Sequence, residues 1–397
     1  MNNDSKLSDT DLCVMCGMCL PQCPTYQLYQ NETESPRGRI ALMQAIDQNR
    51  IKADAQALQH IDHCLSCLNC ETICPSRVPY GKLIDEFREQ HDSAIKKPFI
   101  AKIILKQTAI TNGITHFTNL ANKPLIKPLL HAAAFMYKTI KSPINIPFDR
   151  PAVKFNAFYS GDYSDITQRC GEVNLFTGCS GASLDYQAIN DAIYLLNQLK
   201  FDVYIESEQS CCGALHQHNG QQKMAEQLLN SCQTKLKPAN KRPVLFFSPA
   251  CGERLIQHRD IDARDVRDFI LEQLQQQPLT FSPSSQAVAL HESCGHRNRL
   301  KSASLNIDLL KLVPQLRIIE SNNPALCCGA GGIQSINYPQ QATALLHGKL
   351  DSFDLKQTNV LISDNIGCSL HIKTAVYGYN PNIEVMHPVS FLACQLS

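Results

Sequence analysis

Two stretches of the chain hold cysteine at spacings that suit a metal cluster. Residues 13–24 read CVMCGMCLPQCP and residues 64–75 read CLSCLNCETICP. Both follow C-x2-C-x2-C-x3-C-P, with Cys13, Cys16, Cys19 and Cys23 in the first run and Cys64, Cys67, Cys70 and Cys74 in the second. Three closely spaced thiolates can wrap one corner of an iron–sulfur cubane while backbone N–H groups face its sulfides. The fourth sits too far round and ligates the other cluster. The spacing therefore predicts one [4Fe–4S] cluster on Cys13, Cys16, Cys19 and Cys74, and a second on Cys64, Cys67, Cys70 and Cys23. Zinc sites favour paired cysteines or Cys/His sets over a four-cysteine run that ends in proline and is given twice.

A further set of cysteines recurs on a longer period. VNLFTGCSG leads to Cys179, SEQSCCGA holds Cys211 and Cys212, and VLFFSPACGER contains Cys251. Later, AVALHESCGH leads to Cys294, NPALCCGAGG holds Cys327 and Cys328, and VLISDNIGCSLH contains Cys368. Corresponding cysteines lie 115, 116 and 117 residues apart, which marks an internal duplication. Each copy reads β-Cys-α-β-CysCysGly-α-β-Cys. The strands VNLF, DVYIE, VLFF, AVAL, LRIIE and VLIS are continuous and rich in β-branched residues, as buried parallel strands are. Loops at the carboxyl ends of such strands form the binding crevice, so the four thiols of each copy should converge at one edge of its sheet. Gly213, Gly329, Gly331 and Gly332 would let the backbone approach a bulky cofactor. Ligation of one or two further iron–sulfur clusters is favoured over buried filler and over thiol redox chemistry. Cys170, Cys232 and Cys394 fall outside both patterns and read as structural or incidental.

The elements that must position these thiols differ between the two halves. Between Cys23 and Cys64, SPRGRIALMQAI places Ile40, Leu42, Met43 and Ile46 at near-helical spacing after a Pro-Arg-Gly start, and GKLIDEFREQ after Cys74 also reads as helix. Residues 1–95 are thus expected to form an all-helical two-cluster ferredoxin domain. From Ser93 to Pro147 there is no Asp or Glu, while Lys96, Lys97, Lys102, Lys106, Lys123, Lys127, Lys138 and Lys141 stand among Phe, Ile and Leu. Residues 96–165 read as a basic helical connector that covers the cluster domain with its lysines in water. The same segment would suit anionic lipid or a membrane partner, and the two uses can coexist. Residues 166–280 and 281–397 are then two α/β repeats with parallel sheets, which makes the chain an α+β multidomain protein.

Composition narrows the setting. A formal net charge of +1 on 397 residues gives no global pull toward nucleic acid. The start, MNNDSKLSDTDL, lacks the basic and apolar regions of a signal peptide. No apolar run approaches the ~20 residues that span a bilayer. A reducing cytoplasm is expected, and there 19 cysteines argue for metal rather than disulfides.

Five segments carry a family resemblance: SPRGRI at 35–40, CLSCLNCETICPS at 64–76, CCGALHQH at 211–218, LCCGAGG at 326–332 and DNIGCSLH at 364–371. Over nearly its whole length the chain resembles the iron–sulfur subunit of bacterial glycolate oxidase (glycolate dehydrogenase), with two ferredoxin motifs and two cysteine-rich CCG domains. The iron–sulfur subunit of anaerobic glycerol-3-phosphate dehydrogenase is similar in layout. Heterodisulfide reductases share the CCG domain, where it carries noncubane clusters and ends in C-x-x-C. In this chain Arg254 and His371 stand at the last position of that motif. His371 is therefore either a ligand, a proton donor or a polar residue at a helix start.

The resemblance implies an electron-transfer subunit with no catalytic residue of its own. FAD would sit only in partner subunits that oxidise a 2-hydroxy acid, and electrons would leave toward quinone or a membrane acceptor, with the complex cytoplasmic or peripheral on the inner face of the cell membrane. The residues agree in lacking a G-x-G-x-x-G after a strand and a P-loop, so nothing in the chain is equipped for flavin. Alternatives are a subunit of a glycerol-3-phosphate or D-lactate dehydrogenase, or a heterodisulfide-reductase-like thiol/disulfide enzyme. A redox sensor ranks last, for want of a DNA-reading segment. A quinone site on this chain would lie near His216, His218 or the basic connector.

Overall fold

Ser35 opens the helix that organises the N-terminal region. Its Oγ accepts a hydrogen bond from Gly38 N at 2.9 Å, and Pro36 takes the first helical position, where its fixed φ and missing N–H cost nothing. Gly38 is required, since a Cβ there would meet Glu32 O at 1.9 Å. The computed structural model describes residues 7–109, 157–206, 209–236, 242–258 and 260–397. The lysine-rich stretch KPLIKPLLHAAAFMYKTIK, 123–141, lies outside the described residues. The N-terminal helices are α1 (Pro24–Tyr29), α2 (Pro36–Asp47), α3 (Ala55–Asp62), α4 (Asn69–Thr72) and α5 (Tyr80–Gln90). Ile40, Met43 and Ile46 of α2 join Leu83, Ile84 and Phe87 of α5 in one apolar core, as the periodicity predicts. Helix α6 (Phe99–Ala109) packs Ala101 and Leu105 against Ile333, with Lys102 and Lys106 exposed.

Beyond these helices the chain folds as two α/β halves. Strands β1 (Ala157–Tyr159), β2 (Gly171–Phe176), β3 (Phe201–Ile205), β4 (Val244–Phe246) and β5 (Ala263–Asp265) form a sheet in the order β1-β3-β2-β4-β5. All its pairs are parallel except β1 with β3. Strands β6 (Ala287–His291), β7 (Arg317–Glu320), β8 (Val360–Ser363) and β9 (Glu384–Met386) form a wholly parallel sheet in the order β7-β6-β8-β9. The order β3-β2-β4-β5 is repeated in the second half, as the duplication predicts. All six strands read from the sequence are present. The three-residue strands β1, β5 and β9 are additions that so short a pattern cannot announce. Because β1 pairs Ala157 with Ile205, this strand, placed by sequence in the connector, is structurally part of the first sheet.

The two sheets share a core. Val173 and Leu175 of β2, Val288 and Leu290 of β6, and Val360 and Ile362 of β8 lie in one apolar cluster with the helices Tyr186–Gln198, Val266–Gln276 and Pro388–Cys394. Strand alternation turns the intervening residues to the opposite faces. There Phe176 and Phe246 pack with Cys212, and Ala289 and Leu361 pack with Cys328 and Cys368. Each thiol set therefore lies on the face of its sheet turned away from the shared core. Arg267, fully buried, bridges the halves through Asp265 at 2.6 Å, Asn306 at 2.6 Å and Asp364 at 3.3 Å. Among the described residues no helix is long and apolar enough to cross a membrane.

Candidate metal centres

In the N-terminal domain the cysteines line two adjoining cavities. Cys13, Cys16, Cys19 and Cys74 face the first with Arg37, while Cys23, Cys64 and Cys67 face the second with Arg39. Cys70, Pro36 and Tyr80 line both. Cys74 thus lines the first cavity and Cys23 the second. In each run the residues on either side of the second cysteine are left-handed: Met15 and Gly17 in one, Ser66 and Leu68 in the other. The same turn is therefore built twice, once without glycine. At Gly17 a Cβ would meet the Arg37 guanidinium at 2.7 Å.

The two arginines of SPRGR brace different loops. Arg37 Nη1 donates to Met15 O at 2.9 Å, inside the first run. Arg39 is buried; its Nη2 donates to Glu34 Oε2 at 2.6 Å and its Nε to His60 O at 2.7 Å, and its Nη1 lies 3.9 Å from Cys23 Sγ. Glu34 Oε1 meets His60 Nδ1 at 2.7 Å and His63 Nδ1 at 2.8 Å. Burial opposes the Glu34 charge, but the hydrogen bond from His63 and the Arg39 guanidinium outweigh it and hold the carboxyl below its ordinary range. Sequence reasoning missed this network. Its only local signal is a pair of histidines shortly before Cys64.

The repeats place their thiols as the strand ends dictate. In the first, Cys179 follows β2, Cys211 and Cys212 follow β3, and Cys251 lies in the helix Pro249–Ile256 after β4. Cys212 Sγ and Cys251 Sγ are 3.1 Å apart, and Cys211 is hydrogen-bonded to both Cys179 and Cys212. In the second, Cys328 Sγ and Cys368 Sγ are 3.0 Å apart, and Cys327 is hydrogen-bonded to Cys294 and Cys328. Gly213 N and Gly329 N each point at the first sulfur of the Cys-Cys pair, Cys211 at 3.4 Å and Cys327 at 3.3 Å. Both glycines are left-handed, and a Cβ on either would strike a helix carbonyl, Ala225 O or Ala342 O, at 2.4 Å. That is why each pair is followed by Gly.

The remaining residues singled out by sequence take definite places. His371 lies in the last turn of the helix Ile366–Ile372, not at a helix start, because that short helix begins directly after β8. Its Nδ1 lies 2.8 Å from Cys328 O, and its Nε2 is buried without a partner among the described residues. His216 is buried and bonded to Gln221, and His218 faces Asp85 at 3.5 Å. Cys170 and Cys394 are exposed, and Cys232 is buried behind Cys212. His291, at the end of β6, escaped notice in the sequence; it lies with Cys328 and Cys368.

These thiol sets suit a positively charged cofactor. Burial pushes Cys19 up to about 11 and carries Cys67 and Cys70 well above the ordinary thiol range. In the first repeat, hydrogen bonding with Cys211 and Cys251 draws the Cys212 thiol down against its burial. Several thiolates in one buried cradle are tolerable when iron supplies compensating charge. The second N-terminal set also adjoins the second repeat. Asn298 Nδ2, just after Cys294, donates to Cys67 O at 2.7 Å, and Leu65 packs with Cys327.

Residues 9–78 match the family described as "4Fe-4S dicluster domain", and residues 173–255 and 288–373 match the "Cysteine-rich domain". The chain thus joins a 4Fe-4S dicluster domain to a doubled cysteine-rich domain, an arrangement that binds iron–sulfur clusters. It is similar over most of its length to the protein named probable glycolate oxidase iron-sulfur subunit in Bacillus subtilis, at 26% identity over 96% of this chain and 92% of the relative. The glycolate oxidase iron-sulfur subunit of Escherichia coli is also 26% identical, over 91% of this chain and 89% of the relative. Lactate utilization protein A 2 of Bacillus cereus is 23% identical over 56% of this chain and 98% of its own length.

Proposed function

We propose that this chain is the electron-transfer subunit of a dehydrogenase complex that oxidises a 2-hydroxy acid, glycolate first among the candidates. Electrons would arrive from FAD-containing partner subunits and leave toward quinone. Bound clusters supply one-electron redox chemistry. The residues of the chain hold them in sequence: Cys13, Cys16, Cys19 and Cys74; then Cys64, Cys67, Cys70 and Cys23; then the cysteine-rich sites. The observation that carries this reading is the contact of the second cysteine run with the second repeat, where Asn298 Nδ2, four residues after Cys294, donates to Cys67 O at 2.7 Å and Leu65 packs with Cys327. The likeness to two glycolate oxidase iron–sulfur subunits supports the substrate class.

The first cysteine run supplies an entry port. Cys16 is exposed, and Leu12, Val14, Met15 and Met18 around it are 42–68% exposed. An apolar collar on an electron carrier suits a transient redox partner. The test is anaerobic mixing of the iron-loaded chain with glycolate, with and without the flavin subunits. Bleaching of the cluster absorption only when the flavin subunits are present is expected. Reduction by the chain alone, or none in the full mixture, would discard the reading. A thiol/disulfide enzyme remains the second reading, since sulfurs stand 3.0 and 3.1 Å apart in the two repeats. It requires turnover that survives removal of iron.

A further inference from the structure

We propose that the second cysteine-rich site is a mixed thiolate–imidazole centre, with His291 a metal ligand beside Cys328 and Cys368, whereas the first site is built from sulfur. The inference rests on the reading that the cysteine-rich repeats bind metal, but not on glycolate or on a flavin partner.

The duplication makes the comparison direct. Cys179 and Cys294 are 115 residues apart, and the same offset sets Phe176 against His291. Both close the central strand of their sheet, β2 and β6, and both turn to the face that carries the thiols. Phe176 packs there as a core residue with Cys212. His291 is 2% exposed, and one of its ring nitrogens lies with the sulfurs of Cys328 and Cys368, all within 4.8 Å of one another. A buried imidazole in place of a phenyl ring forfeits apolar packing and must be satisfied by polar partners. Nδ1 lies 3.2 Å from Ser363 Oγ at the end of β8. Such a partner orients a metal-bound histidine.

The surroundings differ in the same sense. Cys251 and Cys368 are 117 residues apart, an offset that also pairs Cys232 with Lys349 and Arg254 with His371. Lys349 is 1% exposed, so Cys232, a buried thiol behind the first site, is answered by a buried amine in the second. The first site draws its cation from Arg254, whose Nε lies 3.5 Å from Cys212 O. The second therefore has a neutral nitrogen donor that the first lacks, and a nearby ammonium that favours the reduced, more negative state of a cluster.

The test uses the full chain, loaded anaerobically with iron and sulfide, in preparations with 14N- and 15N-labelled histidine. Pulsed EPR of the partly reduced protein should show a histidine nitrogen coupling that changes with the label. His291→Phe, which restores the residue of the first repeat, should abolish that coupling and lower iron per chain, while the N-terminal clusters keep their signal. Phe176→His supplies the reverse comparison, since a new coupling there shows that the position, not the residue, faces the metal. The proposal is overturned if wild-type protein with iron in its C-terminal half shows no histidine coupling, or if His291→Phe leaves spectrum and iron unchanged. It is overturned together with its premise if the C-terminal half binds no iron while the N-terminal domain is fully loaded. A histidine coupling in a chain that no flavin partner reduces would sink the proposed function and leave His291 standing.

Discussion

At the scale of single residues, Arg39 shows what the cysteines cannot do alone. It is fully buried, and removing it leaves Glu34 buried with only two histidines for company. Breaking such a pair costs about 3–5 kcal/mol. Arg39→Gln should lower the denaturant midpoint and release iron from the second set first, as read by iron content and EPR, while Arg37→Gln, at 31% side-chain exposure, should cost much less. A second residue-scale prediction concerns acid. His387 caps the helix Pro388–Cys394 by accepting from Val389 N, and burial, then Arg267, pushes it down to about 3. Its folded pKa lies below the unfolded value of about 6.5, so the unfolded chain takes a proton that the folded chain refuses. Its contribution is complete above about pH 6.5 and is lost as pH falls toward 3. His387→Asn keeps a capping acceptor and removes the titration. Between pH 7 and pH 5 the wild type should lose about 2 kcal/mol more than this variant in urea unfolding. The cysteines were legible because ligand spacing is local chemistry. Arg39, Glu34 and His291 were not, because their partners are set by packing between distant elements.

At the scale of elements, the left-handed turns around Cys16 and Cys67 and the glycines after each Cys-Cys pair place the sulfurs. The strands that carry the cysteine-rich repeats could be read because their apolar runs are unbroken, and in β2, β4, β6 and β8 both faces are buried. A three-residue strand such as β5 has no pattern to read. Nor does the sequence announce the π-helical turn Gly295–Leu300, a form that favours functional positions. Directly after Cys294 it carries Arg297, Asn298 and Arg299 to the second cysteine run. The turn of the first run, by contrast, leaves Val14 68% exposed and Met18 49% exposed at the rim of the first cavity, uncovered by any of the described residues. Val14→Glu and Met18→Glu should therefore leave iron content and thermal stability near wild type and slow cluster reduction by the flavin partner at least about tenfold, the equivalent of about 1.4 kcal/mol in docking. Unchanged stopped-flow rates in both variants would move the port elsewhere.

At the scale of the whole molecule, the second cysteine run belongs to two domains at once. Arg88 of α5 donates to Cys64 O at 2.7 Å and to His218 O at 3.1 Å. Gln341 Nε2 reaches His63 O at 3.0 Å, and Asn298 Nδ2 reaches Cys67 O at 2.7 Å. Asn69 is the centre of this joint. Its Nδ2 donates to Gln22 O at 3.2 Å and to Ala325 O at 2.8 Å, and its Oδ1 accepts from Arg297 at 2.9 Å and Asn298 at 2.7 Å. One side chain therefore touches the loop before Cys23, the loop before Cys327 and the turn after Cys294. The contacts of Asn69 with Ala325, Arg297 and Asn298 could not be read from the sequence, where these residues lie 228–256 positions from it. Asn69→Ala leaves several of these groups buried and unpaired, each at about 1–3 kcal/mol, and the joint should loosen before either domain unfolds. Tunnelling rates fall steeply with distance, so a loosened joint separates two events that the wild type runs together. In stopped-flow reduction the N-terminal clusters of the variant should bleach at the wild-type rate, and the signal of the cysteine-rich sites should lag behind. If both sets are reduced together in Asn69→Ala, electrons do not cross at Cys67 and Cys294, and the order of centres proposed for this chain is wrong.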